Sequence, residues 1–145
     1  MHIYTIGFTK RTAANFFETL KKSGAKHLLD IRLNNTSQLA AFTKKQDLPY
    51  FLKSLAGIEY HEMPELAPSD PILKEYRRSK NWKTYEDAYN KLLGKRKAEK
   101  SVSKVWLKEG AVMLCSEHDA TKCHRRLAAE YIANKNTGKI TVTHL

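Results

Sequence analysis

"AVMLCSEHDATKCHRRLAAEYI", residues 111–132, is the stretch whose reading decides the fold. Its first five residues are an uninterrupted apolar run, which suits a central strand covered on both sides. From Cys123 onward, Leu127, Ala128, Tyr131 and Ile132 recur at helical spacing, and Asn136 to Gly138 marks the stop. A buried strand, a polar loop and an amphipathic helix make half of a strand–helix–strand unit, and "ITVTHL" (140–145) supplies the closing strand.

The same alternation runs back to the start. "HIYTI" (2–6) alternates apolar and polar residues up to Gly7 and reads as a first strand. A helix follows, with Thr12 as its cap, Ala13, Phe16, Phe17 and Leu20 on one face, and Gly24 at its end. "KHLLDI" (26–31) is a second buried strand, and the polar loop "RLNNTSQ" (32–38) leaves it. Asp47 is placed to cap a helix carrying Leu48, Phe51, Leu52 and Leu55 up to Gly57, and "IEYHEM" (58–63) reads as a third strand. After the turn-rich "PELAPSDP" (64–71), Ser69 or Asp70 ahead of Pro71 opens another helix, and Tyr85, Ala88, Tyr89, Leu92 and Leu93 form a further apolar stripe, more in keeping with a core than with a base-stacking platform. The expectation is an α/β fold: one three-layer domain over 1–145, with a mainly parallel sheet of about five strands, right-handed crossovers and helices on both faces.

The chain has 145 residues, 41% of them hydrophobic, enough for one core. Its start lacks the apolar run of a signal peptide and no stretch is long enough for a membrane span, so a cytoplasmic protein without membrane partners is expected. Cys115 and Cys123 are the two cysteines, too few for a disulfide framework, and in a reducing compartment both are expected as free thiols.

The formal net charge is +11, and residues 74–108 hold twelve basic against four acidic residues. This segment, with Lys95, Arg96 and Lys97 at its centre, reads equally as a solvated helical face and as a nucleic-acid contact.

In an open parallel α/β sheet the loops leaving the carboxyl ends of the strands share one crevice, where ligands bind. That rule gathers Gly7, Thr9, Asp30, Arg32, Cys115 and Glu117 along one edge, beside Cys123, His124 and Arg125 in the first turn of the last helix. A helix start favours anions, and a cysteine there, beside Lys122 and Arg125, can have its pKa drawn from ~8.5 into the ~3.5–7.5 range. Cys123 therefore reads as a nucleophile or, equally, as a small buried hydrophobe. Glu117 is placed for proton transfer, for orienting His124 or for pairing with an arginine. The forks of Arg32 and Arg125 match phosphate or carboxylate oxygens, the alternative for Arg32 being a structural pair with an acid.

Cys115, His118, Cys123 and His124 are all metal-ligand types, but their gaps of two, four and no residues do not match a zinc knuckle, so no metal is expected. Dinucleotide, nucleotide-phosphate and G-x-S-x-G signatures are absent, which leaves no cofactor indicated. A Cys-x5-Arg phosphatase loop fails because Thr121 and Ala129 stand where its arginine belongs.

"TIGFT" (5–9), "LLDIRLNNTS" (28–37), "YHEMPEL" (60–66), the Trp82/Tyr85/Tyr89 helix and "LCSEHDATKCHR" (114–125), in this order, resemble the family called domain of unknown function 488. The resemblance covers nearly the whole chain and implies a Rossmann-like or flavodoxin-like domain, but no activity. Its motif positions fall on Thr5, Gly7, Asp30, Arg32, Ser37, Glu117, Cys123, His124 and Arg125. Phe8 and Thr9 replace a His-Ser pair common in the family, and Asn35 and Gln38 replace a proline and an arginine, which removes one positive charge from the expected pocket.

The leading expectation is thus a small enzyme for a phosphate-bearing ligand, a nucleotide or nucleic acid. Gly7, Thr9, Asp30, Arg32, Ser37 and Arg125 would bind it, and Cys123, His124 and Glu117 would carry the chemistry. The rival is a noncatalytic nucleic-acid-binding module that uses Lys95, Arg96 and Lys97.

Overall fold

The computed structural model describes all residues, 1–145. Five strands, β1 (His2–Gly7), β2 (His27–Asp30), β3 (Glu59–Glu62), β4 (Ala111–Cys115) and β5 (Thr141–His144), form one sheet in the order β3-β2-β4-β1-β5. Every neighbouring pair is parallel. β4 lies at the centre and all five of its residues are buried, as its apolar run requires. The order is neither 3-2-1-4-5-6 nor 2-1-3-4-5, so the kinship with doubly wound folds lies in layering and strand direction.

Helices α1 (Ala13–Ser23) and α2 (Leu48–Ala56) cover one face, where Phe16, Phe17, Leu20, Leu48 and Leu52 pack on Ile6, Leu28, Val112 and Leu114. The other face carries α3 (Asp70–Ser79), α4 (Trp82–Arg96), α5 (Lys104–Glu109) and α6 (His124–Lys135), with Tyr89, Leu93, Leu127 and Ile132 packed on Ile3, Leu29 and Met113. Strand parity decides this division, since alternate residues of one strand face opposite layers. The chain leaves β1 and β2 for the first face, but leaves β4, which lies between them, for the second. Loops therefore diverge around Cys115 and open a crevice there.

Thr12 caps α1 by accepting from the Asn15 amide, and Ser69 does the same for α3 through the Ile72 amide. Asp47 departs from expectation. It already has helical backbone angles and its amide is held by the Lys44 carbonyl, so its side chain caps nothing. The basic segment is spread over α3, α4 and α5, the first break falling where Lys80 turns left-handed and Asn81 caps α4. No helix is long and apolar enough to cross a membrane.

Candidate functional site

A cleft of about 620 Å³ lies beyond the carboxyl ends of β1, β2 and β4. Phe8 and Thr9, Arg32, and Cys115, Ser116 and Glu117 come from the three strand ends; Cys123 and His124 come from the start of α6. The α3–α4 hairpin forms the opposite wall with Tyr76, Arg77, Trp82 and Tyr85.

The sulfurs sit on its floor. Cys115 and Cys123 are paired as a disulfide, with Cα atoms 7.7 Å apart, and no cysteine is free, which corrects the expectation of two separate thiols. They meet because the 116–122 loop folds back across the end of β1. Gly7 permits that crossing: a Cβ there would overlap the Glu117 carbonyl and stand 2.6 Å from Arg125 Nη1. Gly7 is thus a packing residue beneath the loop and does not line the cleft, contrary to the ligand role expected of it.

His124 spans two strand ends. Its Nε2 lies 2.8 Å from the Ile31 carbonyl oxygen, which can only accept, so Nε2 carries the proton. The Nδ1 lone pair then faces Cys123 Sγ at 4.0 Å. Burial pushes the imidazole pKa down to about 4, with nearby Arg125 acting in the same direction, so the ring is neutral at pH 7.

Arg32 and Arg125 do not share a cavity, which corrects the electropositive hollow expected between them. Arg32 borders the cleft, yet its Nε and Nη2 donate to the two oxygens of Asp30, both at 2.8 Å, and its Nη1 and Nη2 donate to Thr43 Oγ1 and the Thr43 carbonyl. Asp30 also accepts from Tyr60 Oη at 2.6 Å. The Asp–Arg pair is therefore the structural alternative, and Asp30 lies outside the cleft lining. Arg125 is 1% exposed and lies behind the sulfurs. Its Nε donates to Thr5 Oγ1 at 3.2 Å, Nη1 to the Glu117 carbonyl and toward Cys115 Sγ at 3.4 Å, and Nη2 to the His118 carbonyl at 3.0 Å. None of these partners is a carboxylate. Burial pulls its pKa down to about 10.

Thr9 and Ser37 line the cleft, but the Thr9 hydroxyl donates to the Ser116 carbonyl and the Ser37 hydroxyl accepts from the Leu39 amide. Glu117 is exposed at the rim. Arg77 and Lys122 are exposed cleft cations; Lys122 was expected beside Cys123 but not as a ligand contact, and the sole signal for Arg77 was the basic segment itself. Thr43 and Tyr60, which hold the Asp30–Arg32 pair, carried no signal at all.

Sequence spacing argued against a metal, and His118 does stand apart, with Nδ1 donating to the Thr9 carbonyl. Cys115, Cys123 and His124 nevertheless present ligand atoms within 4.8 Å of one another. Of the basic trio, Arg96 Nη1 donates to the carbonyls of Pro64, Glu65 and Ala67, so it ties down that loop, while Lys95 and Lys97 are exposed. They sit at the opposite end of α4 from Trp82, ~20 Å along the helix from the cleft wall.

Fold and cleft together define a parallel α/β domain with a cysteine pair at its central strand end. The chain belongs to the family described as domain of unknown function DUF488, which matches residues 12–132. Neither a curated protein nor a solved structure matches it.

Proposed function

We propose that this chain is a small thiol-dependent enzyme that binds a phosphate-bearing ligand, a nucleotide or nucleic acid, in the cleft beyond the strand ends. The observation that carries the reading is Arg125, a buried guanidinium whose hydrogen-bond partners are a hydroxyl, two carbonyls and Cys115 Sγ, 3.4 Å away, a sulfur that becomes ionisable once the disulfide is reduced. The Asp119 and Glu117 carboxylates act on it only through space, and a thiolate at the sulfur pair supplies a counter-ion in direct contact.

Reduction by a dithiol opens the bridge with two electrons and two protons, giving two thiols and leaving the reductant as its disulfide. One proton then leaves, and the negative charge rests on the sulfur pair beside Arg125. His124 Nδ1 accepts from the Cys123 S–H and aims that sulfur into the cleft. Glu117 at the rim is the group placed to exchange protons with a ligand. Arg77 and Lys122 supply charge for phosphate oxygens, and the partly exposed Tyr76 and Trp82 rings, set edge to face, give the cleft an aromatic wall against which a base can pack.

Titrating the reduced protein with nucleoside phosphates and short oligonucleotides, read by tryptophan fluorescence, tests this reading. Binding should weaken at least about tenfold in Arg77→Ala and Lys122→Ala, consistent with the loss of ~1.4 kcal/mol or more for a charge-assisted phosphate contact. Association that ignores both changes and needs Lys95 and Lys97 instead would favour the noncatalytic nucleic-acid-binding module.

A further inference from the structure

A second cluster of ligating side chains sits at the opposite end of the sheet. β2 and β3 are parallel neighbours with His27 facing Glu59 across the ladder, so His27, Glu59 and His61 lie on one face of the sheet. That face is the one covered by α5, whose Trp106 stacks on the His61 ring with centroids 4.0 Å apart.

His27 is almost wholly buried, and both of its nitrogens are engaged. Nε2 stands 3.3 Å from Glu109 Oε2 and Nδ1 stands 3.0 Å from His61 Nε2. A carboxylate can only accept, so Glu109 holds the proton on Nε2 and leaves the Nδ1 lone pair directed at His61. A carboxylate fixing the far nitrogen of an imidazole is the usual outer support of a metal-binding histidine. Glu59 Oε2 lies 3.8 Å from the same Nδ1, and the three ligand atoms of His27, Glu59 and His61 fall within 4.8 Å of one another. Two nitrogens bound at ~2.1 Å to one ion and 3.0 Å apart subtend about 90°, an angle common in metal centres. Glu59 is exposed, so the remaining coordination positions open to water.

We propose that His27 Nδ1, His61 Nε2 and Glu59 form a binding site for one borderline divalent transition-metal cation such as zinc, with Glu109 as outer support, at the edge of the sheet remote from the sulfur cleft. Two imidazoles and a carboxylate suit such an ion. Without the metal, one proton shared between the two facing nitrogens accounts for their separation, and the experiment distinguishes the two states.

The test uses full-length chain carrying Cys115→Ser and Cys123→Ser, which removes the thiol ligands at the other end. After chelator stripping, equilibrium dialysis against micromolar zinc at pH 7.5 with elemental analysis should find one zinc per chain. His61→Ala should abolish that equivalent, Glu59→Gln should weaken it, and Glu109→Gln should weaken it about ten- to a hundredfold. Both glutamates are exposed, so these two variants keep the test intact if an alanine at position 61 disturbs packing around Trp106. No bound zinc in the cysteine-free chain, or an equivalent that His61→Ala and Glu59→Gln leave unchanged, would overturn the proposal.

Discussion

The carboxyl ends of β2 and β4 each hold a buried arginine, and the two are held in different ways. At the end of β2, Arg32 faces both oxygens of Asp30, and Thr43 and Tyr60 complete the cluster, so charge and hydrogen bonds are settled locally. At the end of β4, Arg125 is held by a hydroxyl, two carbonyls and a sulfur, with no carboxylate among them. A guanidinium beside its carboxylate is an anchor. A guanidinium beside a cysteine pair would, under the proposed function, stabilise whichever sulfur gives up its proton after reduction, so the two strand ends differ in where the charge of the arginine is answered.

The largest effect should come from breaking the first arrangement. Arg32→Met leaves Asp30 buried with its charge unmatched and should cost about 3–5 kcal/mol in urea unfolding. A loss under about 1 kcal/mol would mean that the Asp30–Arg32 pair does not anchor this strand end and would erase the contrast.

His124 links the two ends, and its buried neutral ring makes stability depend on acid. Its pKa is about 4 folded, against 6.5 for the free side chain. Between these values the unfolded chain binds the extra proton, so stability is full above pH 6.5, falls as the pH drops toward 4, and loses up to about 3 kcal/mol. His124→Gln can still donate to the Ile31 carbonyl but does not titrate, so unfolding curves across that window should lose most of their slope. An unchanged slope would place the acid sensitivity elsewhere.

Much of the scaffold was legible before the structure. The apolar run of β4, the alternation of β1, and caps such as Thr12 and Ser69 express local chemistry, and local chemistry is what periodicity reports. The strand-end rule likewise brought Thr9, Arg32, Cys115 and Cys123 to one cleft. What it could not report was where each guanidinium points. The direction of Arg32 depends on Thr43, a hydroxyl eleven residues away, and on Asp30, which is itself held by Tyr60 from the next strand. The Cys115–Cys123 pairing depends on the loop crossing Gly7, a close approach between segments that no spacing encodes. Asp47 shows the converse limit, because a residue of capping type at a helix start does no capping when its own backbone is already helical.

The smallest effect in energy is the most direct test of the contrast. If Arg125 stabilises a thiolate, titration of ultraviolet thiolate absorbance in the reduced protein should show one sulfur ionising at least one pH unit, ~1.4 kcal/mol, below the ordinary ~8.5. Two sulfurs that both ionise at or above ~8.5 would contradict the account and leave the pair as a structural tie.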